Sequence, residues 1–169
     1  GIKMSKKNGD VIVMVGDGSY LMMHTEIITS IQEQKKLIII LIENYAFNSI
    51  HGLSLSCGSK GFGNQFRQRD NQTQSLDGEN LFVDFSANAK SYGANSVKVK
   101  TKEELLLAFQ NAKKETITSV IVVEVDPNIR VPSFESWWDV PIAEVSDMPS
   151  VNETRKKYEQ AQKKERHFV

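Results

Sequence analysis

Two continuous apolar runs, Val11-Ile12-Val13-Met14-Val15 and Leu37-Ile38-Ile39-Ile40-Leu41-Ile42, constrain this chain more than any other feature. Neither alternates, so neither reads as a strand with one wet face; each reads as a strand covered on both sides. Between them the period changes. Tyr20, Met23, Ile27, Ile28 and Ile31 share one face of a single helix running to Gln34. Strand, helix and strand within about 30 residues form a βαβ unit, whose crossover makes the two strands parallel.

The pattern continues downstream. Asp84 is placed to N-cap a helix ending near Tyr92-Gly93, and Asn95–Val99 is a short strand. Thr101-Lys102-Glu103-Glu104 is a capping box ahead of the stripe Leu105, Ala108, Phe109, Ala112. Val120–Val125 is a further buried strand, stopped by Asp126-Pro127. Four strands alternating with three helices predict an α/β fold: a three-layer parallel sheet with helices on both faces, occupying residues 1–150.

Two stretches depart from this rhythm. Residues 51–80 hold five glycines among Ser, Asn, Gln and Arg without sustained periodicity, and predict a flexible loop. Residues 151–169 predict a helical tail; from 152 onward it holds six Lys/Arg and three Glu, with Tyr158 and Phe168 as its aromatic anchors. The basic residues read as a solvated face rather than a nucleic-acid arm.

Charge supports that view, because 21 basic and 21 acidic residues cancel and leave no field for nucleic acid or an anionic membrane. No apolar run approaches the roughly 20 residues of a membrane span, no signal-peptide pattern opens the chain, and Cys57 is the single cysteine. A soluble cytoplasmic protein is expected. Gly1-Ile2-Lys3-Met4 reads as a helix cut open, so the chain is expected to be a fragment of a longer polypeptide.

The chemistry gathers at the carboxyl ends of the first two strands, the edge where open parallel sheets bind ligands. Gly16-Asp17-Gly18 closes strand one, and the glycines allow a sharp turn and close approach to a ligand. Ser19 and Tyr20 then open a helix whose N–H groups favour phosphate. Strand two ends in Glu43-Asn44, followed by Tyr45-Ala46-Phe47. Parallel pairing sets Asn44 beside Asp17. A carboxylate, an amide oxygen and a nearby carbonyl are hard ligands suited to Mg²⁺ bridged to a di- or triphosphate. Neither Gly-x-x-x-x-Gly-Lys-Ser/Thr nor Gly-x-Gly-x-x-Gly follows strand one, which excludes the common nucleotide-binding alternatives.

Gly-Asp-Gly, a spacer of 25 residues and a terminal Asn resemble the motif of thiamine-diphosphate-dependent enzymes such as acetohydroxyacid synthase and pyruvate decarboxylase. The resemblance implies thiamine diphosphate and Mg²⁺ as cofactors. It also implies Asp17, the Asn44 side chain and the Ala46 carbonyl as metal ligands, with Gly16, Gly18 and Ser19 at the diphosphate. One position departs: Glu43 stands where the usual pair has its first Asn. A narrower resemblance, carried by Gly16–Glu26, Gly58–Gly63 and Ser136–Ser146 (Ser-Trp-Trp-Asp-Val-Pro-Ile-Ala-Glu-Val-Ser), is to the inositol-catabolism hydrolases. They open a trihydroxycyclohexane-1,2-dione, a small polyhydroxylated cyclic substrate, to 5-deoxyglucuronate. An acetohydroxyacid-synthase-like carboligase and a non-catalytic domain of the same fold are the competing readings.

In such enzymes the glutamate that activates the cofactor lies on a separate N-terminal pyrimidine-binding domain, usually of a second subunit. The resemblance therefore implies a homodimer or homotetramer, and no catalytic residue is assigned within this chain. The remaining candidates read more simply. His24 and Glu26 fit packing or structural roles on the first helix, and Trp137 and Trp138 fit cover for the sheet or an interface. His51, Arg67 and Arg69 sit in or beside the polar segment, which is expected to act as a lid; Cys57 has no activating neighbour in sequence.

Overall fold

The computed structural model describes residues 1–5, 8–129 and 139–165. Its centre is one parallel sheet of four strands, β1 (Ile12–Gly16), β2 (Ile38–Glu43), β3 (Asn95–Val99) and β4 (Ser119–Glu124), in the order β1-β2-β4-β3. The register is even: Ile12 faces Ile38, Ile38 faces Ser119, and Asn95 also faces Ser119. All four carboxyl ends therefore come out on one edge.

Helices cover both faces, as expected. They are α1 (Ile2–Ser5), α2 (Asp17–Met23), α3 (Glu26–Gln32), α4 (Asn48–Ser56), α5 (Phe85–Ser91), α6 (Lys102–Lys114) and α7 (Pro149–Gln162). Side chains alternate along a strand, which divides the core in two. On one face Ile39, Leu41, Val120 and Val122 pack with Tyr20 of α2, Ile27 of α3, and Phe85 and Ala89 of α5. On the other, Ile38, Ile121 and Val99 pack with Ala112 of α6, bordered by Leu105, Ala108 and Phe109. The anticipated caps form: Asp84 Oδ1 accepts from Ala87 N at 2.8 Å, and Thr101 and Glu104 close a reciprocal capping box. Gly93 takes φ +90° just past α5, a conformation that glycine adopts without Cβ strain.

Four expectations need correcting. The single helix from Tyr20 to Gln34 is two. Ile27 N bonds to His24 O and Ile28 N to Thr25 O, three residues back instead of four, and this tightening separates α2 from α3. The extra twist buries Tyr20 (4% exposed) and Ile27 (3%) together but turns Met23 (68%) outward. Second, β1 is not covered on both sides. It is an edge strand, paired only with β2, and Ile12 (51%) and Met14 (72%) are open among the described residues.

Third, the stretch from 51 to 80 begins in α4, and its remainder is irregular but tied down. Phe47 N bonds to Asn64 O (2.8 Å) and Phe66 N to Tyr45 O (2.8 Å), so the excursion returns to the chain just past β2, and Leu81 N bonds in turn to Phe66 O (2.7 Å). Fourth, the tail helix starts earlier, at Pro149, whose missing N–H suits a first helical position. Ser150 Oγ donates to Gly58 O at 2.7 Å, and Arg155 Nη1 to Ile142 O at 2.8 Å, pinning α7 to the body. Trp137, Trp138 and Phe168 lie outside the described residues.

The two-sided core makes Leu41, fully buried on the strand that carries Glu43, a sensitive position. Leu41→Ala is expected to cost about 2–5 kcal/mol. Thr101→Ala, which removes only a surface cap, is expected to cost about 1 kcal/mol. Urea unfolding followed by circular dichroism checks both the sizes and their order.

Candidate functional site

Asp17 is the first residue of α2 and is wholly buried at the carboxyl end of β1. A carboxylate without water must find donors, and here they are backbone N–H groups. Oδ1 accepts from Gly18 N (2.8 Å), while Oδ2 accepts from Asn44 N (2.9 Å) and Tyr45 N (2.7 Å). Burial pushes the Asp17 carboxyl above its ordinary value; the N–H groups of Asn44, Gly18, Tyr45 and Ala46 pull the other way without cancelling it.

The expected ligand set does converge. The end of the Asn44 amide lies 3.2 Å from Asp17 Oδ1 and 3.0 Å from Ala46 O. With its nitrogen inward, the amide donates to both oxygens and the site closes on itself. With its oxygen inward, three acceptor oxygens face one another with no proton between them, an arrangement that a hard cation stabilises. The donor set thus fits Mg²⁺ in one amide orientation, and a half-turn about the last torsion of Asn44 separates the two states.

Tyr45 makes this possible. Its φ of +59°, in the left-handed region that few non-glycine residues enter, turns the chain so that the Ala46 carbonyl comes back beside the Asn44 side chain. Such a conformation costs about 1–3 kcal/mol and persists where surrounding bonds hold it. Tyr45 is held at N–H by Asp17, at C=O by Phe66 N, and at its ring by an edge contact with Phe82.

The two glycines differ in their reason for being glycine. A Cβ on Gly18 would lie 2.5 Å from Cδ1 of Phe47, so its hydrogen is required by the ring packed over it. A Cβ on Gly16 would meet nothing within 4 Å, and its φ of −77° suits any residue. The space beside Gly16 is open at the strand ends. Ser19 is exposed in the first turn of α2.

Glu43, the departure from the usual Asn, is 1% exposed and directly precedes Asn44. Lys98 Nζ of β3 lies 2.6 Å from Glu43 Oε2 and 3.0 Å from Glu124 Oε2, a contact of charges reaching over β4. Burial raises the Glu43 carboxyl, opposed by Lys98 and reinforced by the charges of Glu124 and Asp17. Burial alone would lower Lys98, but its two carboxylate partners outweigh that and raise it. The Glu124 carboxyl is lowered, first by Lys98.

The secondary candidates fall elsewhere. His24 stacks on Tyr20 at 5.3 Å and tilts against Tyr92 at 5.7 Å, which is a packing role. Glu26 accepts from Thr29 Oγ1 on the solvent side of α3. His51 packs against Gly61. Arg67 bridges to Asn80 through its backbone, and Arg69 donates to Gln74 O. Cys57 caps α4 as a free thiol. Sequence reasoning missed Tyr45, Phe47 and Lys98. Only the partner of Lys98 left a visible signal: Glu124 is a charge interrupting the apolar run of β4 near its carboxyl end.

The family model for the "Thiamine pyrophosphate enzyme, C-terminal TPP binding domain" matches residues 1–123. This chain belongs to that family. It is 40% identical over 151 residues to the 3D-(3,5/4)-trihydroxycyclohexane-1,2-dione hydrolase 2 of Bacillus cereus (strain ZK / E33L), covering 89% of this chain and 23% of that protein. It is 40% identical over 152 residues to the 3D-(3,5/4)-trihydroxycyclohexane-1,2-dione hydrolase of Clostridium tetani (strain Massachusetts / E88), covering 90% and 24%. The benzoylformate decarboxylase of Polynucleobacter necessarius superposes with a TM-score of 0.59 at 28% identity, over 76% of this chain and 22% of that one. The thiamine pyrophosphate enzyme domain described here therefore spans about a quarter of the length of its curated relatives. No helix among the described residues is long and apolar enough to cross a membrane.

The packing of Phe47 on Gly18 separates the glycines experimentally. Gly18→Ala is expected to destabilise the fold by about 1–3 kcal/mol through overpacking. Gly16→Ala is expected to stay within about 0.5 kcal/mol of the parent. Thermal or urea unfolding of both variants measures the difference.

Proposed function

We propose that this chain supplies the Mg²⁺–diphosphate half-site of a thiamine-diphosphate-dependent hydrolase. The proposed reaction adds water across a C–C bond, opening trihydroxycyclohexane-1,2-dione to 5-deoxyglucuronate in myo-inositol degradation. The observation that carries the cofactor reading is the convergence of Asp17 Oδ1, the Asn44 amide and Ala46 O within 3.2 Å at neighbouring strand ends. Support for the substrate comes from relatives about 40% identical that bear this name.

Each residue then has a defined task. Asp17, the Asn44 side-chain oxygen and the Ala46 carbonyl would hold Mg²⁺, which would supply positive charge for binding the diphosphate at the strand ends. The three backbone N–H groups on Asp17 keep its carboxylate aimed, so that little reorganisation accompanies metal entry. Gly16 leaves room for the diphosphate at the strand end, with Gly18 and Ser19 beside it. Thiamine diphosphate, when bound, supplies a nucleophilic thiazolium carbon and an electron sink for C–C cleavage.

The activating glutamate belongs, in this reading, to an N-terminal pyrimidine-binding domain of a second subunit in a cytoplasmic homodimer or homotetramer.

In the intact enzyme, Asp17→Ala and Asn44→Ala are each expected to abolish Mg²⁺-dependent binding of thiamine diphosphate, read by isothermal titration calorimetry. Normal binding by both would remove these residues from the site. The intact enzyme is expected to turn over the inositol-derived dione and not to couple pyruvate; carboligation of pyruvate would favour the synthase reading. The 169-residue chain alone is expected to show no turnover, and a measured rate would refute the half-site assignment.

A further inference from the structure

Glu43 and Glu124 occupy directly paired positions on the parallel strands β2 and β4. Two carboxylates side by side repel, and Glu43 has almost no access to water. One ammonium answers both: Lys98 Nζ, 2.6 Å from Glu43 and 3.0 Å from Glu124, with Lys100 adding a contact of 3.2 Å to Glu124. The turn Asn44-Tyr45-Ala46 begins where this cluster ends. Val125 N bonds to Glu43 O at 3.0 Å, fixing the backbone immediately before Asn44. Lys98 therefore anchors the residue immediately before the turn, Glu43, and the residue paired with it across the sheet, Glu124.

We propose that Lys98 is a positioning residue for the metal site, its bridge to Glu43 and Glu124 holding the Asn44–Ala46 turn in the geometry that presents two oxygen ligands. The proposal rests on the assignment of Asp17, Asn44 and Ala46 as the Mg²⁺ ligands. It differs from a simple effect of charge in its sign. Removing a positive charge close to a cation site strengthens cation binding by Coulomb's law alone. Loss of a positioning bridge weakens it.

The test measures, in the intact enzyme, the free Mg²⁺ giving half-maximal binding of thiamine diphosphate, together with the melting temperature. Lys98→Met is expected to raise the half-saturating Mg²⁺ by roughly tenfold, the scale on which residues supporting metal ligands act. Lys98→Arg, which keeps the charge and the reach, is expected to stay within about twofold of the parent on that scale. The Glu43→Gln/Lys98→Met pair removes the stranded carboxylate, so its melting temperature recovers while its Mg²⁺ requirement stays high. That pair also carries the measurement should Lys98→Met alone fail to fold.

Unchanged or tighter Mg²⁺ binding in Lys98→Met overturns the proposal. So does a double variant that regains parental Mg²⁺ affinity along with its stability, because the effect would then be the buried charge alone. Asp17→Ala distinguishes the two levels. If it retains Mg²⁺-dependent cofactor binding, the ligand assignment fails and the role of Lys98 falls with it. If it loses binding while Lys98→Met behaves as the parent, only the positioning role fails.

Discussion

The buried carboxylate of Asp17, accepting N–H groups from Gly18, Asn44 and Tyr45, is the contact on which the organisation of this domain depends. It joins the end of β1 to the end of β2 through a side chain, beyond the last rung of the sheet. A charge so placed would be untenable in an apolar core, and three short donors make it tolerable. Burial still leaves the carboxyl above its ordinary value, because the backbone N–H groups offset only part of the desolvation.

Everything around Asp17 serves to keep the ends of β1 and β2 in step. The apolar layers on either side of the sheet are built by odd and even residues of the same strands, so a slip of one residue in β2 would exchange Leu41 with Ile40 and move Asn44 off the site. Phe47 closes over Gly18 from the chain beyond β2, and Phe66 meets it edge-on at 5.7 Å. The irregular segment thus contributes to the core next to the site while its tip remains polar. Structure and chemistry share one edge of the sheet.

The electrostatic arrangement at that edge is unusual in its economy. Asp17, Glu43 and Glu124 are acidic and close together, and Lys98 faces two of the three. Asp17 alone has no side-chain cation among the described residues and is served by backbone N–H groups instead. This division gives Asp17 only backbone donors while Lys98 neutralises the carboxylates behind it. Glu43 in the place of Asn is compatible with the site because Lys98 stands opposite it.

The amino-acid sequence by itself determined the βαβ unit, the parallel sheet, the caps at Asp84 and Thr101, and the adjacency of Asp17 and Asn44. The unit, the sheet and the adjacency follow from local periodicity together with the handedness of a crossover, and the caps from side chains three residues from their partners. Only the tertiary structure decided the break between α2 and α3, the open edge of β1, the left-handed turn at Tyr45 and the meeting of Lys98 with Glu43. Strand order was the missing information: β4 enters between β2 and β3, so a lysine on one edge strand comes to neutralise a glutamate two strands away. No periodicity within either segment encodes that contact, because it depends on which buried faces pair once the whole sheet is formed.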